Sequence, residues 1–263
     1  MLHKLWCMSA FVYCCCFGQV LFGQSDSCPE HLDTESTAAP YSVKKDSLGM
    51  GHTVYYPEAD VAVDCEYPVV AWGNGTGVFG ASYYESTLRA WASYGIIVVA
   101  SHSPIAGSGS SLISGIQNFI DKTKDEEHLF FGKIARKAGV AGHSQGAIGA
   151  SFATKDEIIG AAVLIGGGGI TSVPTVFLTS QFDFMRFTAL SGYRGSAVEK
   201  GLVVKSGTSH TEIAHSREAF KIGRQWLLCH LAGNISACKA LEVLGSSNCP
   251  NGVVECYLEN RSY

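Results

Sequence analysis

The sequence predicts a single α/β domain: a mostly parallel central sheet with helices on both faces and no large lid domain. Three observations carry this expectation. Short apolar segments of strand length alternate with segments of helical periodicity between residues 51 and 232, which is the pattern of strand–helix–strand units. Gly142-His143-Ser144-Gln145-Gly146 has the form of a sharp strand-to-helix turn, where two glycines relieve crowding around a serine in a strained backbone. Hydrophobic residues make up 46% of the 263 residues and charged residues only 16%, enough apolar material for one substantial core and against disorder.

The elements follow in order. Residues 26–48 are polar and read as irregular. Gly51 to Pro57 and Tyr67 to Trp72 read as strands, the second apolar and β-branched. Gly73-Asn74-Gly75-Thr76-Gly77 is too glycine-rich for a strand and reads as a loop. Tyr83 to Tyr94 is predicted helical, with Leu88, Trp91 and Ala92 on one face and Gly95 as its stop. Ile96 to Ala100 is a buried strand. Ser110 to Ile120 is a second helix, because Leu112, Ile113, Ile116, Phe119 and Ile120 recur at helical spacing. Lys124 to His128 is a charged, solvated loop, Lys137 to Ala141 a short strand, and Ala147 to Ala153 a helix of small residues. Ile158 to Ile165, Thr175 to Thr179 and Gly201 to Lys205 read as strands, with a loop and short helix over Phe187 to Lys200. His215 to Ala232 is the last long helix.

The amino terminus reads as a secretory leader over residues 1–25. Lys4 precedes the apolar run Leu5 to Phe17, and Gly18, Gly23 and Ser25 offer small residues for cleavage. A membrane anchor is the alternative, but the run is short for a span. Residues 26–263 then form the domain. After removal, 18 basic residues face 23 acidic ones, a net charge of −5. No basic cluster supports nucleic-acid binding, and no second apolar run supports membrane insertion. A secreted, extracellular monomer is expected.

Cysteine usage agrees with export. Four of the ten cysteines lie in the leader; Cys28, Cys65, Cys229, Cys238, Cys249 and Cys256 remain. An even count in a secreted chain points to disulfides, though six cysteines allow about 15 connectivities. Proximity favours Cys249–Cys256 across Pro250-Asn251-Gly252, and more weakly Cys28–Cys65, leaving Cys229–Cys238. No Cys-x-x-Cys or paired-histidine spacing points to a metal. The sequons at Asn234 and Asn260 permit glycosylation, whereas the one at Asn74 is expected to be inaccessible.

A serine hydroxyl is a poor nucleophile until a base takes its proton and an acid orients the base. In α/β-hydrolases, whose nucleophile elbow this turn resembles, the serine is followed in the chain by the acid and then the histidine. Asp183 lies just past the strand Thr175 to Thr179, and His210 just past Gly201 to Lys205. Both are thus predicted at the carboxyl edge of the sheet, where open α/β sheets place their sites. Asp121 and Asp156 read as surface residues, His215 as part of the last helix, and His143 as turned away from the serine by the elbow. Acyl transfer also needs oxyanion donors, for which the Gln145 N–H and the Thr76 N–H in the glycine loop are the candidates.

The stretch Val69 to Val99, the elbow, Val173-Pro174-Thr175 and Gly207-Thr208-Ser209-His210 resemble the cutinase-like, polyester-hydrolase and chlorophyllase-like branch of the α/β-hydrolases, itself related to dienelactone hydrolases. The likeness spans roughly residues 50–263. It implies an α/β-hydrolase fold and a cofactor-free carboxylic ester hydrolase, with Ser144 as nucleophile, His210 as base and Asp183 as orienter. The cysteine-bearing tail resembles the disulfide-closed carboxyl terminus of some relatives. The sequence departs from that pattern between Gly167 and Pro174, where many relatives carry a longer segment with aromatic contacts or a lid. The departure implies an open cleft suited to an exposed or polymeric ester. Phe182 and Phe184, with Met185, could supply an apolar wall, or belong to the core. A lipase or phospholipid acetylhydrolase with the same triad, and a noncatalytic secreted binding protein, are the other readings.

Overall fold

The computed structural model describes residues 41–58, 66–246 and 249–260. The leader 1–25, Cys28 and Cys65 lie outside the described residues, so the expected Cys28–Cys65 pair does too.

The described residues form nine strands and seven α-helices. The strands are β1 (Val43–Gly49), β2 (His52–Pro57), β3 (Val69–Gly73), β4 (Ile97–Ser101), β5 (Ala138–His143), β6 (Ile159–Ile165), β7 (Thr175–Phe182), β8 (Lys200–Ser209) and β9 (Val253–Glu259). The helices are α1 (Glu85–Ala92), α2 (Ser110–Lys122), α3 (Gln145–Ala153), α4 (Arg186–Gly195), α5 (His210–Ile213), α6 (Arg217–Ala232) and α7 (Ile235–Ala240). They build one sheet in the order β1-β2-β4-β3-β5-β6-β7-β8-β9. Strands β4, β3 and β5 to β8 run parallel. Strands β1, β2 and β9 are antiparallel to their neighbours at the two edges.

Both faces of the sheet are buried because strand residues alternate between two apolar layers. Val70, Trp72, Val98 and Ala100 face a layer with α1 and α6, packed with Leu88, Trp91, Phe220 and Trp226. Val69, Ala71, Ile97 and Val99 face the opposite layer with α2, α3 and α4, packed with Leu112, Ile116, Ala150 and Tyr193. Helix α6 starts at an N-cap, Ser216, whose hydroxyl accepts the Ala219 N–H, and it stops at Gly233 in the left-handed region at φ 62°.

Two local expectations, for the residues before Gly49 and for His215, are corrected. Residues 43–48, read as irregular, form edge strand β1 together with Gly49. Lys44, Lys45 and Asp46 leave no apolar alternation to read there, as charges on edge strands often do. The short helix expected over Phe187 to Lys200 is present as α4, with a short connection after Gly195. His215 precedes α6 instead of belonging to it, because Ser216 is the cap. The tail, for which the sequence predicts no element, forms the edge strand β9 on β8, with Val203 opposite Cys256.

Two disulfides are present among the described residues, Cys229–Cys238 and Cys249–Cys256, with Cα atoms 4.8 and 5.6 Å apart. The first fastens α7 to α6, and the second fastens β9 to the turn before it. No helix among the described residues is long and apolar enough to cross a membrane.

Candidate active site

Strand β5 delivers the chain to Ser144, which adopts φ 59° and ψ −120° before α3 begins at Gln145. A non-glycine residue at positive φ costs on the order of 1–3 kcal/mol and persists only when its surroundings enforce it. The glycines show what enforces it. A Cβ at Gly142 would lie 2.4 Å from the Gly146 carbonyl carbon, and one at Gly146 would lie 2.1 Å from the Gly73 carbonyl oxygen. The turn can be this tight only because neither position carries a side chain. Ser144 is anchored by its own N–H, donated to the Ile165 carbonyl at 2.9 Å.

The loops leaving β7 and β8 bring two side chains to this serine. His210 Nε2 lies 2.9 Å from Ser144 Oγ, and His210 Nδ1 lies 2.7 Å from Asp183 Oδ1. His210 sits at the first turn of α5, behind a reciprocal cap in which Ser209 and Glu212 bond each other's side chains and backbone. The Asp183 side chain has no accessible surface. Its Oδ1 also accepts the Met185 N–H at 2.7 Å, and its Oδ2 accepts the Thr179 hydroxyl at 3.2 Å. Burial pushes this carboxyl up, but the hydrogen bonds from His210, Met185 and Thr179 outweigh it and hold the group below the ordinary carboxylate value. The arrangement holds an ionised acid behind an imidazole that faces a half-buried hydroxyl. Chemically it can take a proton from Ser144 and stabilise the charge that results.

The glycine loop lies directly against the elbow. A Cβ at Gly75 would come within 3.5 Å of Ser144 Cβ. Asn74 is fully buried and anchors the loop. Its Nδ2 donates to the carbonyls of Gly80 at 2.9 Å and Ser101 at 2.8 Å, and its Oδ1 accepts from Trp72 Nε1 at 3.2 Å. The Gly75 N–H goes to Tyr84 Oη at 3.1 Å and the Gly77 N–H to the Pro104 carbonyl at 3.1 Å. Between them, the Thr76 N–H is left as the loop donor closest in sequence to the elbow contact. The Gln145 N–H belongs to the first turn of α3, where helix donors lack intrahelical acceptors.

The rivals are placed elsewhere. Asp156 lies past the far end of α3, accepting the Ile158 N–H, and Asp121 pairs with Lys124 on the surface. His143 makes no hydrogen bond to Ser144 and is buried with both ring nitrogens engaged: Nδ1 with Tyr84 Oη at 3.0 Å and Nε2 with the His210 carbonyl at 2.9 Å. Burial is the main cause that drops its pKa to about 4. Phe182 and Phe184 are not core: they are 67% and 72% exposed. The Phe184 ring lies 4.3 Å from that of His210, centroid to centroid.

Sequence reasoning missed Tyr84, Thr179 and the anchoring role of Asn74. Only Asn74 left a signal, as an amide side chain between two glycines directly after a buried strand. Among the described residues no group of three or more His, Cys, Asp or Glu side chains could hold a metal ion. No protein-family model matches the chain, and no curated protein matches it.

Proposed function

We propose that this protein is a secreted serine esterase on an α/β-hydrolase fold, cutinase-like or polyester-hydrolase-like, cleaving carboxylic esters in an open cleft. One observation carries the reading: the Asp183–His210–Ser144 hydrogen-bond series, at 2.7 and 2.9 Å, ending on a serine at positive φ. The two disulfides fit an oxidising compartment.

In this reaction Ser144 Oγ attacks the ester carbonyl carbon while its proton passes to His210 Nε2. The carbonyl oxygen becomes an oxyanion, stabilised by the Thr76 and Gln145 N–H groups. Each donor aimed at such charge is worth roughly two to three powers of ten in rate. The carbon–oxygen bond to the leaving alcohol breaks, and the alcohol takes the proton from His210. Water then attacks the acyl-serine, again giving a proton to His210. That proton returns to Ser144 as the carboxylic acid leaves. Asp183 stays ionised throughout and stabilises the imidazolium.

The substrate side of the reading rests on exposure. Phe182 and Phe184 flank Asp183, and Phe187 follows in α4; all three are exposed. The connection Gly167 to Pro174 holds neither helix nor strand. An apolar, uncovered rim favours an ester on a polymer or other apolar surface over a small polar one. Acyl chains of lipids would find the same rim, which keeps a lipase or phospholipid acetylhydrolase as the second reading.

Ser144→Ala should lose at least about a thousandfold of the activity on short p-nitrophenyl esters, together with fluorophosphonate labelling. Full activity in the variant overturns the proposal. No turnover or labelling in the wild type would favour a binding protein. Rates on polyester film, emulsified triglyceride and soluble ester separate the two ester readings.

A further inference from the structure

We infer that Tyr84 and His143 are positioning residues of this site: a buried hydrogen-bond relay that sets the distance between the oxyanion loop and the histidine base. The inference rests on the esterase reading above. Its first support is donor and acceptor accounting. The His210 carbonyl can only accept, so His143 Nε2, 2.9 Å away, carries the proton. A neutral imidazole then has a bare Nδ1, which accepts from the Tyr84 hydroxyl at 3.0 Å. The Tyr84 oxygen in turn accepts the Gly75 N–H at 3.1 Å. Every member has one role, and reversing any link leaves two acceptors or two donors facing each other.

The environment holds those protonation states. Burial drops His143 to about 4, and burial lifts Tyr84 to about 12 against the opposing pull of the Gly75 N–H. Gly75, Tyr84, His143 and His210 are all buried, so water does not substitute for a missing link. The rings also pack in series, with centroids 5.8 Å apart for Tyr84–His143 and 4.7 Å for His143–His210.

The second support is where the relay ends. Gly75 precedes Thr76, whose N–H is assigned to the oxyanion. The carbonyl at the other end belongs to His210 itself. His143 precedes Ser144. The relay therefore links three loops that each supply one part of the reaction, and none of its polar atoms bonds Ser144 or the Nε2 of His210. Oxyanion stabilisation and proton transfer both fall steeply with misplacement of about 1 Å, so such a brace acts on kcat.

The test is a set of variants with both kinetic and spectroscopic readouts. Tyr84→Phe and His143→Phe should each lower kcat on p-nitrophenyl butyrate by about ten- to a hundredfold with KM within about threefold. The double variant should be no slower than the worse single one, since one broken link disables the relay. Glutamine offers both a donor and an acceptor, so His143→Gln should recover most of what His143→Phe loses. Additive losses, a KM effect without a kcat effect, or wild-type kcat in Tyr84→Phe overturns the proposal. If the phenylalanine variants fail to fold, 15N imidazole NMR of the wild-type protein decides. A neutral His143 protonated at Nε2 is expected, and an Nδ1–H tautomer overturns the relay. That spectrum needs no turnover, so it separates failure of the relay from failure of the esterase reading, which the Ser144→Ala assay decides.

Discussion

Gly146 has no room for a side chain, and the elbow depends on it. An added Cβ would sit 2.1 Å from the Gly73 carbonyl oxygen and 2.7 Å from that of Asn74. These are backbone atoms of β3 and the glycine loop, so no side-chain rotation relieves the clash. Gly146→Ala should therefore push α3 away from β3, destabilise the fold by about 3 kcal/mol or more, and move the Gln145 and Thr76 N–H groups apart. Chemical denaturation and ester turnover on the same sample check it: near-wild-type values in both would refute the packing account. The motif spacing made this glycine and Ser144 legible in the sequence, and the positions of Asp183 and His210 just past two predicted strands made them candidates. Tyr84 was not legible. Its hydroxyl matters only through Gly75 and His143, the latter 59 residues away, and local pattern carries no such information.

At the scale of elements, β9 is the part that sequence periodicity hid. It forms the outer strand beyond β8, the strand that leads to His210, and Glu255 pairs with Arg186 of α4. The Cys249–Cys256 bond closes a short loop, seven residues apart in sequence, that holds β9 in register. Constraining a loop of that size in the unfolded chain is worth about 2–3 kcal/mol. Replacing both cysteines by serine should lower Tm by roughly 4–10 °C for a domain of this size. Activity at 25 °C should persist, because the Ser144–His210–Asp183 contacts do not involve β9. An unchanged Tm in calorimetry would show that strand pairing alone retains the tail. Residues 43–49 escaped notice for a related reason. Edge strand β1 carries charge where the inner strands are continuously apolar, so it reads as irregular until β2 is seen beside it.

For the molecule as a whole, two buried imidazoles set an acid limit. Burial is the main cause that lowers both His143 and His230 from the ordinary 6.5 to about 4. The folded value lies below the unfolded one, so the unfolded chain binds more protons between them. Stability is therefore full above pH 6.5 and erodes as pH falls toward 4, by up to about 3 kcal/mol per imidazole. Asp183 acts in the same sense at lower pH: its depressed value contributes stability at neutral pH that is lost as pH falls through it. His230→Gln should remove close to one proton from the uptake on unfolding at pH 5, read as a shallower dependence of unfolding free energy on pH. A slope identical to wild type would mean that His230 is already protonated in the folded state.

The sequence by itself determined the class of fold, indicated the carboxyl-edge placement of residues 183 and 210, and favoured the Cys249–Cys256 pairing. These follow from apolar periodicity, chain order and short separations, all of which are local. Tertiary structure decided the sheet order, the antiparallel edges β1 and β9, the exposure of Phe182 and Phe184, and the Tyr84–His143 contact. These depend on which buried polar atoms and apolar faces meet when segments far apart in the chain pack together. A buried donor must find its acceptor wherever the fold brings one.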